Sequence, residues 1–369
     1  MKKQFIPKKS KENVISKFQN RLLKWYEKNK RNLPWRSTKD PYHILVSEVM
    51  LQQTQTFRVK DYYKRFIADF PDIETLAHSK LPVVLKTWEG LGYYARARNL
   101  HRTAKLIANH RQGQFPQTYE DLIALPGVGS YTAAAIMSIA YNKPFPVVDG
   151  NVTRLISRVF GIDADPKEAD TKRKLSEIIN EFMPRRRAGL FNQALMELGS
   201  LVCQPKNPQC GNCCLKTLCY ARTLPDPTEL PIKAQKKPRP HYDVTAGFIW
   251  NDRKLLLAQR PIKEMLGGLW EFPGGKRKPN ESLQACLRRE IREELGIHIE
   301  VKKPIASVKH GYSHFRITLH GFHCKYIRGQ VQSLGCADWK WVSPSRVSSF
   351  ALPGADRKLF ETWKTMKET

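Results

Sequence analysis

Acidic residues are scarce in this sequence, and long apolar runs are missing altogether. Its 369 residues hold 34 Asp and Glu against 63 Lys and Arg, a formal charge of +29. An excess of that size, with a pI near 9.9, implies a polyanionic partner, nucleic acid above all. No apolar run reaches the roughly 18–20 residues that a membrane span needs, so no membrane partner is expected. The N-terminal residues carry charge but no apolar core, which excludes a secretory signal; residues 1–12 read as a flexible basic arm. A cytoplasmic, nucleoid-associated location of bacterial type is the expectation. With 41% hydrophobic and 10% aromatic residues, most of the chain is not disordered, and the length suits two or three domains. There is no long internal repeat.

Two well-separated Cys-x2-Cys pairs, the mark of a zinc ribbon, are also absent. Eight cysteines occur, and Cys203, Cys210, Cys213, Cys214 and Cys219 crowd together while Cys286, Cys324 and Cys336 are scattered. Such clustering without an export signal argues for metal ligation in a reducing compartment, not a disulfide scaffold. The spacing Cys203-x6-Cys210-x2-Cys213-x5-Cys219 puts four thiolates on a short loop. Four sulfur ligands suit zinc or an iron–sulfur cluster, and this spacing favours 4Fe–4S. Cys214 is a fifth cysteine inside the loop and not a ligand.

Residues 13–223 read as a helical domain. Residues 224–241 alternate prolines with Lys233, Lys236, Lys237 and Arg239 and read as a stiff, extended basic linker. From 242 to 369 the pattern turns strand-like at 244–250, 254–259, 306–309 and 315–325. One helix over 280–295 is stopped by Gly296, giving an α+β domain.

Four stretches of the helical domain carry chemistry. In Leu125-Pro126-Gly127-Val128-Gly129-Ser130-Tyr131-Thr132, two glycines bracket one residue between helical patterns. They permit a positive-φ turn that aims backbone N–H groups at a phosphate; taken alone, it could equally be an ordinary helix connection. Asp149 follows in Val148-Asp149-Gly150-Asn151, where a plain N-cap is the simpler reading. The Asp40-Pro41 pair opens a helix over 42–54. Glu48 shares a face there with Ile44, Leu45 and Val49, so its pKa should be raised, as suits a general acid. A buried Glu paired with an Arg is an equal alternative on this helix alone. Leu91-Gly92-Tyr93-Tyr94-Ala95-Arg96 places aromatics beside cations and glycines, which suits either a DNA wedge or a buried ring with surface arginines.

Taken together, Ser47-Glu48-Val49-Met50-Leu51-Gln52-Gln53-Thr54, the 90–96 segment, the hairpin with Asp149 and the cysteine spacing resemble the adenine DNA glycosylase (MutY) family over nearly the whole chain. The resemblance implies an all-α helix–hairpin–helix glycosylase domain with an iron–sulfur loop, followed by an α+β Nudix-like domain. It implies removal of adenine mispaired with 8-oxoguanine or guanine from double-stranded DNA by a monomer. By position, Glu48 resembles the acid that protonates the leaving adenine, and Asp149 the carboxylate that stabilises the sugar cation. Asn151 resembles its partner. Gln53, Thr54, Leu91 and Tyr93 match intercalating or strand-contacting positions, and Gly127 and Gly129 the phosphate-binding hairpin. Tyr131 stands where the related endonuclease III type has a lysine that cleaves the strand, so a monofunctional enzyme is implied. Tyr312, Ser313 and His314 resemble the family's 8-oxoguanine loop, with Tyr where Phe is usual.

The C-terminal domain departs from the family in one respect. Gly275-x5-Glu281-x7-Arg289-Glu290-Ile291-x-Glu293-Glu294-x-Gly296-Ile297 is a complete Nudix box, usually eroded there. Glu290, Glu293 and Glu294 could converge on Mg²⁺, because three like charges repel unless a cation sits among them. Nucleotide pyrophosphate hydrolysis is the alternative function.

Overall fold

The computed structural model describes residues 8–232 and 238–368. In chain order the helices α1 (Lys8–Asn29), α2 (Pro41–Leu51), α3 (Thr56–Asp69), α4 (Ile73–His78), α5 (Leu81–Thr87) and α6 (Ala95–Arg111) come first. Then follow α7 (Tyr119–Ile123), α8 (Ser130–Ile139), α9 (Gly150–Phe160), α10 (Ala169–Phe182) and α11 (Ala188–Leu201). The strands are β1 (His241–Asn251), β2 (Lys254–Gln259), β3 (Trp270–Glu271), β4 (His298–Gly311), β5 (Arg316–Arg328) and β6 (Asp338–Val342). Helix α12 (Leu283–Leu295) precedes β4, and α13 (Pro344–Val347) and α14 (Gly354–Glu368) end the chain. Contacts divide the chain into two compact units, Met1–Ile67 with Asp72–Glu74 and Thr103–Lys236, and Ala68–Pro71 with Thr75–Arg102 and Lys237–Thr369. Segment 75–102, expected in the helical domain, therefore packs with the C-terminal residues.

In the helical unit, Phe18, Leu22, Leu155, Ile156, Phe191, Leu195 and Leu198 from α1, α9 and α11 form the core. Each such side chain stabilises the fold by roughly 1.5–3 kcal/mol on full burial. The helices start where the sequence supplies acceptors. Asp40 accepts from Tyr42 N at 2.8 Å ahead of Pro41, Thr118 from Asp121 N at 3.2 Å, and Asp149 from Val152 N at 2.7 Å. Helix α2 ends at Leu51, three residues before the expected stop, because Gln52 leaves the helical region and Gln53 turns left-handed at φ 56°. Helix α1 begins inside the stretch expected to be an arm, so residues 8–12 are helical; residues 1–7 lie outside the described residues. The first half of the expected linker also differs. Leu230 and Pro231 are buried, and the Leu230 carbonyl accepts from Arg158 Nε at 2.8 Å. An apolar pair with a bonded carbonyl packs onto the helices instead of extending. Lys233, Lys236 and Lys237 lie outside the described residues.

The second unit is built on a six-stranded mixed sheet, order β3-β2-β1-β5-β4, with β6 on β2. Strands β1 and β5 run parallel over ten residue pairs, and the other pairings are antiparallel. Alternation sorts the strands onto two faces. Phe248, Leu255 and Leu257 meet Leu359 and Phe360 of α14, while Ile249, Leu256 and Ala258 meet Leu287, Ile291 and Leu295 of α12. Helix α12 starts at Leu283, not 280, since Ser282 accepts from Ala285 N and Asn280 is left-handed. Strand β4 begins well before 306. Its register shifts around Pro304, and Lys302, Lys303 and Pro304 hide the alternation that marks its second half.

Candidate active site

Helix α2 is buried almost throughout, from Tyr42 to Met50, and it carries Glu48 at 4% exposure to one wall of a cavity of about 610 Å³. Ser130 to Thr132 at the start of α8 and Asp149 to Asn151 at the start of α9 line the same cavity, with Gln52, Gln53 and Thr54. The four residues expected to be catalytic thus come together although a hundred positions separate the first from the last. The alternative of a Glu48–Arg pair is not realised. Its partner is Tyr131, whose hydroxyl donates to Oε2 at 2.7 Å and lies 3.5 Å from Met196 Sδ.

Burial pushes the Glu48 carboxyl up to about 7; the hydrogen bond from Tyr131 pulls it back, and the charge of Asp149 raises it again. Asp149 is also raised by burial, but Val152 N and Asn151 donate to its carboxylate and restrain the rise. The two carboxyls therefore differ in kind. Glu48 is poised to hold a proton near neutral pH, and Asp149, with two donors, is better equipped to stay ionised. The Tyr131 phenol is pushed far up by burial and by the charge of Glu48, so it stays protonated and donates.

Glycines shape the approach to this cavity. Gly127 has φ 76°, which a side chain would strain. A Cβ added at Gly129, the N-cap of α8, would meet nothing within 4 Å. Open space there leaves the backbone free to meet a large ligand. Gly199 of α11 is the reverse case. A Cβ there would fall 2.7 Å from the Asn151 carbonyl oxygen, so only glycine lets α11 lie against the turn that carries Asp149.

Several residues of the site were not singled out in the sequence. Glu197, fully buried on α11, accepts from Arg31 N, Nε and Nη2 and from Arg36 Nη1 and Nη2 at 2.6–2.9 Å. Burial would raise it, yet the bonds from Arg36 and Arg31 hold it down to about 2. This charged cluster forms the far wall of the cavity with Trp35, Gln193 and Ser200. No local motif marks it, because its members stand about 160 residues apart. Arg154 was missed as well. It donates to Asn151 Oδ1 at 2.9 Å, to the Gly199 carbonyl at 2.6 Å and to the Cys203 carbonyl at 2.7 Å, fixing the amide that holds Asp149.

The thiols of Cys203, Cys210, Cys213 and Cys219 line one small cavity with Leu155, Val159 and Arg158, and Cys214 does not. Arg158 donates to Cys203 Sγ at 3.5 Å. Among the described residues no three Cys, His, Asp or Glu groups converge on a single ion.

In the second unit, Tyr93 holds a left-handed backbone at φ 50° and is 42% exposed, whereas Leu91 is buried. Of the two, Tyr93 is the one presented outward. Tyr312, Ser313 and His314 form the turn between β4 and β5, closed by Tyr312 N donating to the Phe315 carbonyl at 2.9 Å. The Tyr312 ring is half-buried between His310 and Phe315, with centroids at 4.8 and 5.0 Å. Ser313 Oγ and Tyr93 Oη are hydrogen-bonded.

The Nudix-box carboxylates do not need a metal to relieve their repulsion. Arg289 of the same helix donates to Glu290 at 2.8 Å, to Glu293 at 3.0 Å and bidentately to Glu281 at 2.8 and 2.9 Å. It is the cation among them. Glu294 turns elsewhere and is pushed up to about 8 by burial and by the nearby Glu271 and Glu290.

With this geometry in place, comparison with known proteins gives a consistent answer. The HhH-GPD superfamily of base excision DNA repair proteins matches residues 46–181, and the NUDIX domain family matches residues 245–362. The adenine DNA glycosylase of Mus musculus is 33% identical, covering 96% of this chain and 79% of that protein. That of Buchnera aphidicola subsp. Schizaphis graminum is 37% identical over 83% of this chain and 86% of its own. A thermostable thymine-DNA glycosylase of known structure aligns at 30% identity and a TM-score of 0.53, covering 57% of this chain and 98% of that one. A helical domain of the base-excision type, a NUDIX domain behind it and relatives matched along most of their length lead to one conclusion: the chain belongs to the adenine DNA glycosylase family.

Proposed function

We propose that this protein removes adenine mispaired with 8-oxoguanine, or with guanine, from double-stranded DNA by hydrolysing the N-glycosidic bond, and leaves the strand uncut. The observation that carries this reading is the pair Glu48 and Asp149 on one cavity, with the first protonated near neutral pH. A base is a poor leaving group until it is protonated, and the sugar it leaves bears positive charge. Glu48 donates the proton to the adenine ring. Asp149, oriented by Val152 N and Asn151, places its carboxylate against the developing sugar cation. The adenine leaves the base stack to enter the cavity, with Gln53 and Thr54 at its edge, and Tyr93 acts at the duplex with the buried Leu91 behind it. Gly127 and Gly129 turn backbone N–H groups toward a phosphate, while residues 312–314 meet the base opposite the adenine. Tyr131 has no amine with which to form a Schiff base on the sugar, so strand cleavage is not coupled to excision.

The four cysteines fit a 4Fe–4S cluster. The donor set is all sulfur in one largely apolar pocket, which suits an iron–sulfur cluster. When bound, the cluster supplies a four-point tie across loop 203–219. Arg154 and Arg158 then hold the loop's backbone against α9. The enzyme acts as a monomer on nucleoid DNA in the cytoplasm. The complete Nudix box supports a second reading, Mg²⁺-dependent hydrolysis of a nucleoside triphosphate, in which Glu290, Glu293 and Glu294 would hold the cation, the first two released from Arg289.

The deciding experiment is single-turnover incubation with an A·8-oxoguanine duplex in EDTA. Free adenine should appear, and the strand should break only after alkali. A strand cut without alkali, together with a borohydride-trapped protein–DNA adduct, would overturn the monofunctional assignment.

A further inference from the structure

Segment 86–98 and the start of α14 are joined by buried and half-buried polar bonds that the reaction chemistry does not use. Glu89 Oε1 accepts from Leu352 N at 2.9 Å and from Arg357 Nε and Nη2 at 3.1 and 2.6 Å. Arg357 also donates to the Phe350 carbonyl at 2.9 Å, and Lys86 reaches both that carbonyl, at 3.2 Å, and Glu89. Arg98 donates to the Gly267 carbonyl at 2.7 Å. Glu89 immediately precedes the turn at Gly90, Gly92 and Tyr93, whose φ values are 93°, 80° and 50°. The turn is braced within itself, since Trp88 Nε1 and Arg96 Nη2 donate to the Gly92 carbonyl at 3.1 and 3.0 Å and Gly90 N donates to Tyr94 Oη at 3.1 Å, so it moves as a unit whose direction depends on what anchors its ends.

The other side of the α14 terminus supports the recognition turn. The His310 ring packs on Gly354 so closely that a Cβ there would lie 3.1 Å from its Cε1. Asp356, next to Arg357, is buried and accepts from Phe272 N at 3.1 Å, which fixes this end of the helix to the sheet. His310 in turn flanks Tyr312, and Ser313 closes the circuit through Tyr93.

We infer that the Glu89–Arg357 pair is a specificity-positioning device: it locks the Tyr93 turn and the 312–314 turn to one bracket, the α14 terminus, so that they read the base opposite the adenine as a single head. The inference rests on the function proposed above, in that those two turns meet that base. Neither Glu89 nor Arg357 touches DNA in this scheme. Each acts through the residues it holds. An ion pair with two backbone contacts is directional, and losing either partner removes both bonds between them, leaving Glu89 to Lys86 and Leu352 N and Arg357 to the Phe350 carbonyl. The two turns are then tied less firmly, through Tyr93 and Ser313, and a contact that depends on both weakens more than a contact that depends on neither.

The test measures single-turnover adenine excision by the full chain opposite 8-oxoguanine and opposite guanine, at saturating enzyme and with melting temperatures in parallel. Glu89→Gln and Arg357→Met should each lower the 8-oxoguanine-to-guanine rate ratio by about tenfold, a difference of ~1.4 kcal/mol in barrier, with excision opposite guanine within about twofold of wild type. The double variant should lose no more than either single one, because the two act as a unit. If one variant does not fold, Glu89→Asp and Arg357→Lys, which keep the charge but shorten or reduce the bonds, report on the same ratio. A ratio unchanged in soluble variants, whatever their melting temperatures, overturns the inference and leaves the proposed function standing. Equal rates opposite both bases in wild type overturn the inference alone, and no excision opposite either base overturns the proposed function and this inference with it.

Discussion

The Tyr131 hydroxyl donates to Glu48 Oε2 at 2.7 Å across 83 positions of sequence, joining the hairpin helix to the helix that carries Glu48. That bond favours the ionised carboxylate, while burial, the larger effect, favours the neutral acid and leaves the group near 7. Glu48 must be protonated to act, so the excision rate should fall as pH rises through about 7. Tyr131→Phe removes the donor, which raises the pKa further and moves the falling limb to higher pH. Single-turnover rates between about pH 5.5 and 9 check both statements. A limb that stays in place or moves down in Tyr131→Phe would show that the tyrosine does not set this acid.

Removing the carboxyls themselves separates chemistry from binding. Glu48→Gln and Asp149→Asn should each slow excision by on the order of 10³-fold or more, about 4 kcal/mol of barrier, with duplex affinity nearly kept. Glu48→Gln should also change stability in a pH-dependent way. Between the ordinary carboxyl value of 4.5 and the folded value near 7, the folded state binds the proton that the unfolded state has released. Stability contributed by the protonated Glu48 is therefore present at low pH and lost as pH rises through that window, by roughly 3 kcal/mol in all. The glutamine variant escapes the loss and should be the more stable of the two at pH 8. Equal melting temperatures at that pH would contradict the buried, raised carboxyl.

Much of this was legible in the sequence because local chemistry fixed it. Asp40-Pro41 and Gly296 carry their cap functions on their faces, and Glu48, Tyr131 and Asp149 sit in motifs long enough to be specific. What stayed hidden depends on distant pairing. Glu197 is an ordinary residue of an apolar helix until Arg31 and Arg36 fold over it. Gly199 looks like a helix weakness until Asn151 is placed against it. The edge strand β4 breaks its alternation at Pro304, so only its second half could be read, and the short β3 exists through its pairing with β2. The contacts of segment 75–102 are the clearest case, since Glu89 meets Arg357 only across 268 positions.

The cysteine loop offers a test that needs no activity. Four thiols line the cavity, and Cys214 stands outside it. Cys210→Ala should therefore lose most of the bound iron and the visible absorbance of the cluster, and Cys214→Ala should keep both. Iron per chain in freshly isolated protein decides it. Loss of iron in Cys214→Ala with retention in Cys210→Ala would reverse the ligand assignment.

The Nudix box is the part of the chain whose chemistry the structure constrains least by motif and most by charge. Glu290 and Glu293 are already satisfied by Arg289, which also holds Glu281. A divalent cation has to compete with a guanidinium that is covalently tied to the same helix, so binding is expected only when a triphosphate brings further oxygens to the metal. Glu294 is the exception. It stays outside the Arg289 network, and burial leaves it protonated near neutral pH, so a metal must also displace its proton. Both effects predict that Mg²⁺ alone will not raise the melting temperature of the full chain, whereas Mg²⁺ with 8-oxo-dGTP will, and that turnover will rise with pH toward 8 as Glu294 ionises. Glu294→Gln should abolish that turnover and leave adenine excision in EDTA untouched. If wild type and Glu294→Gln release the monophosphate at the same background rate, the box serves as a stable helix, and excision is the only chemistry of the chain.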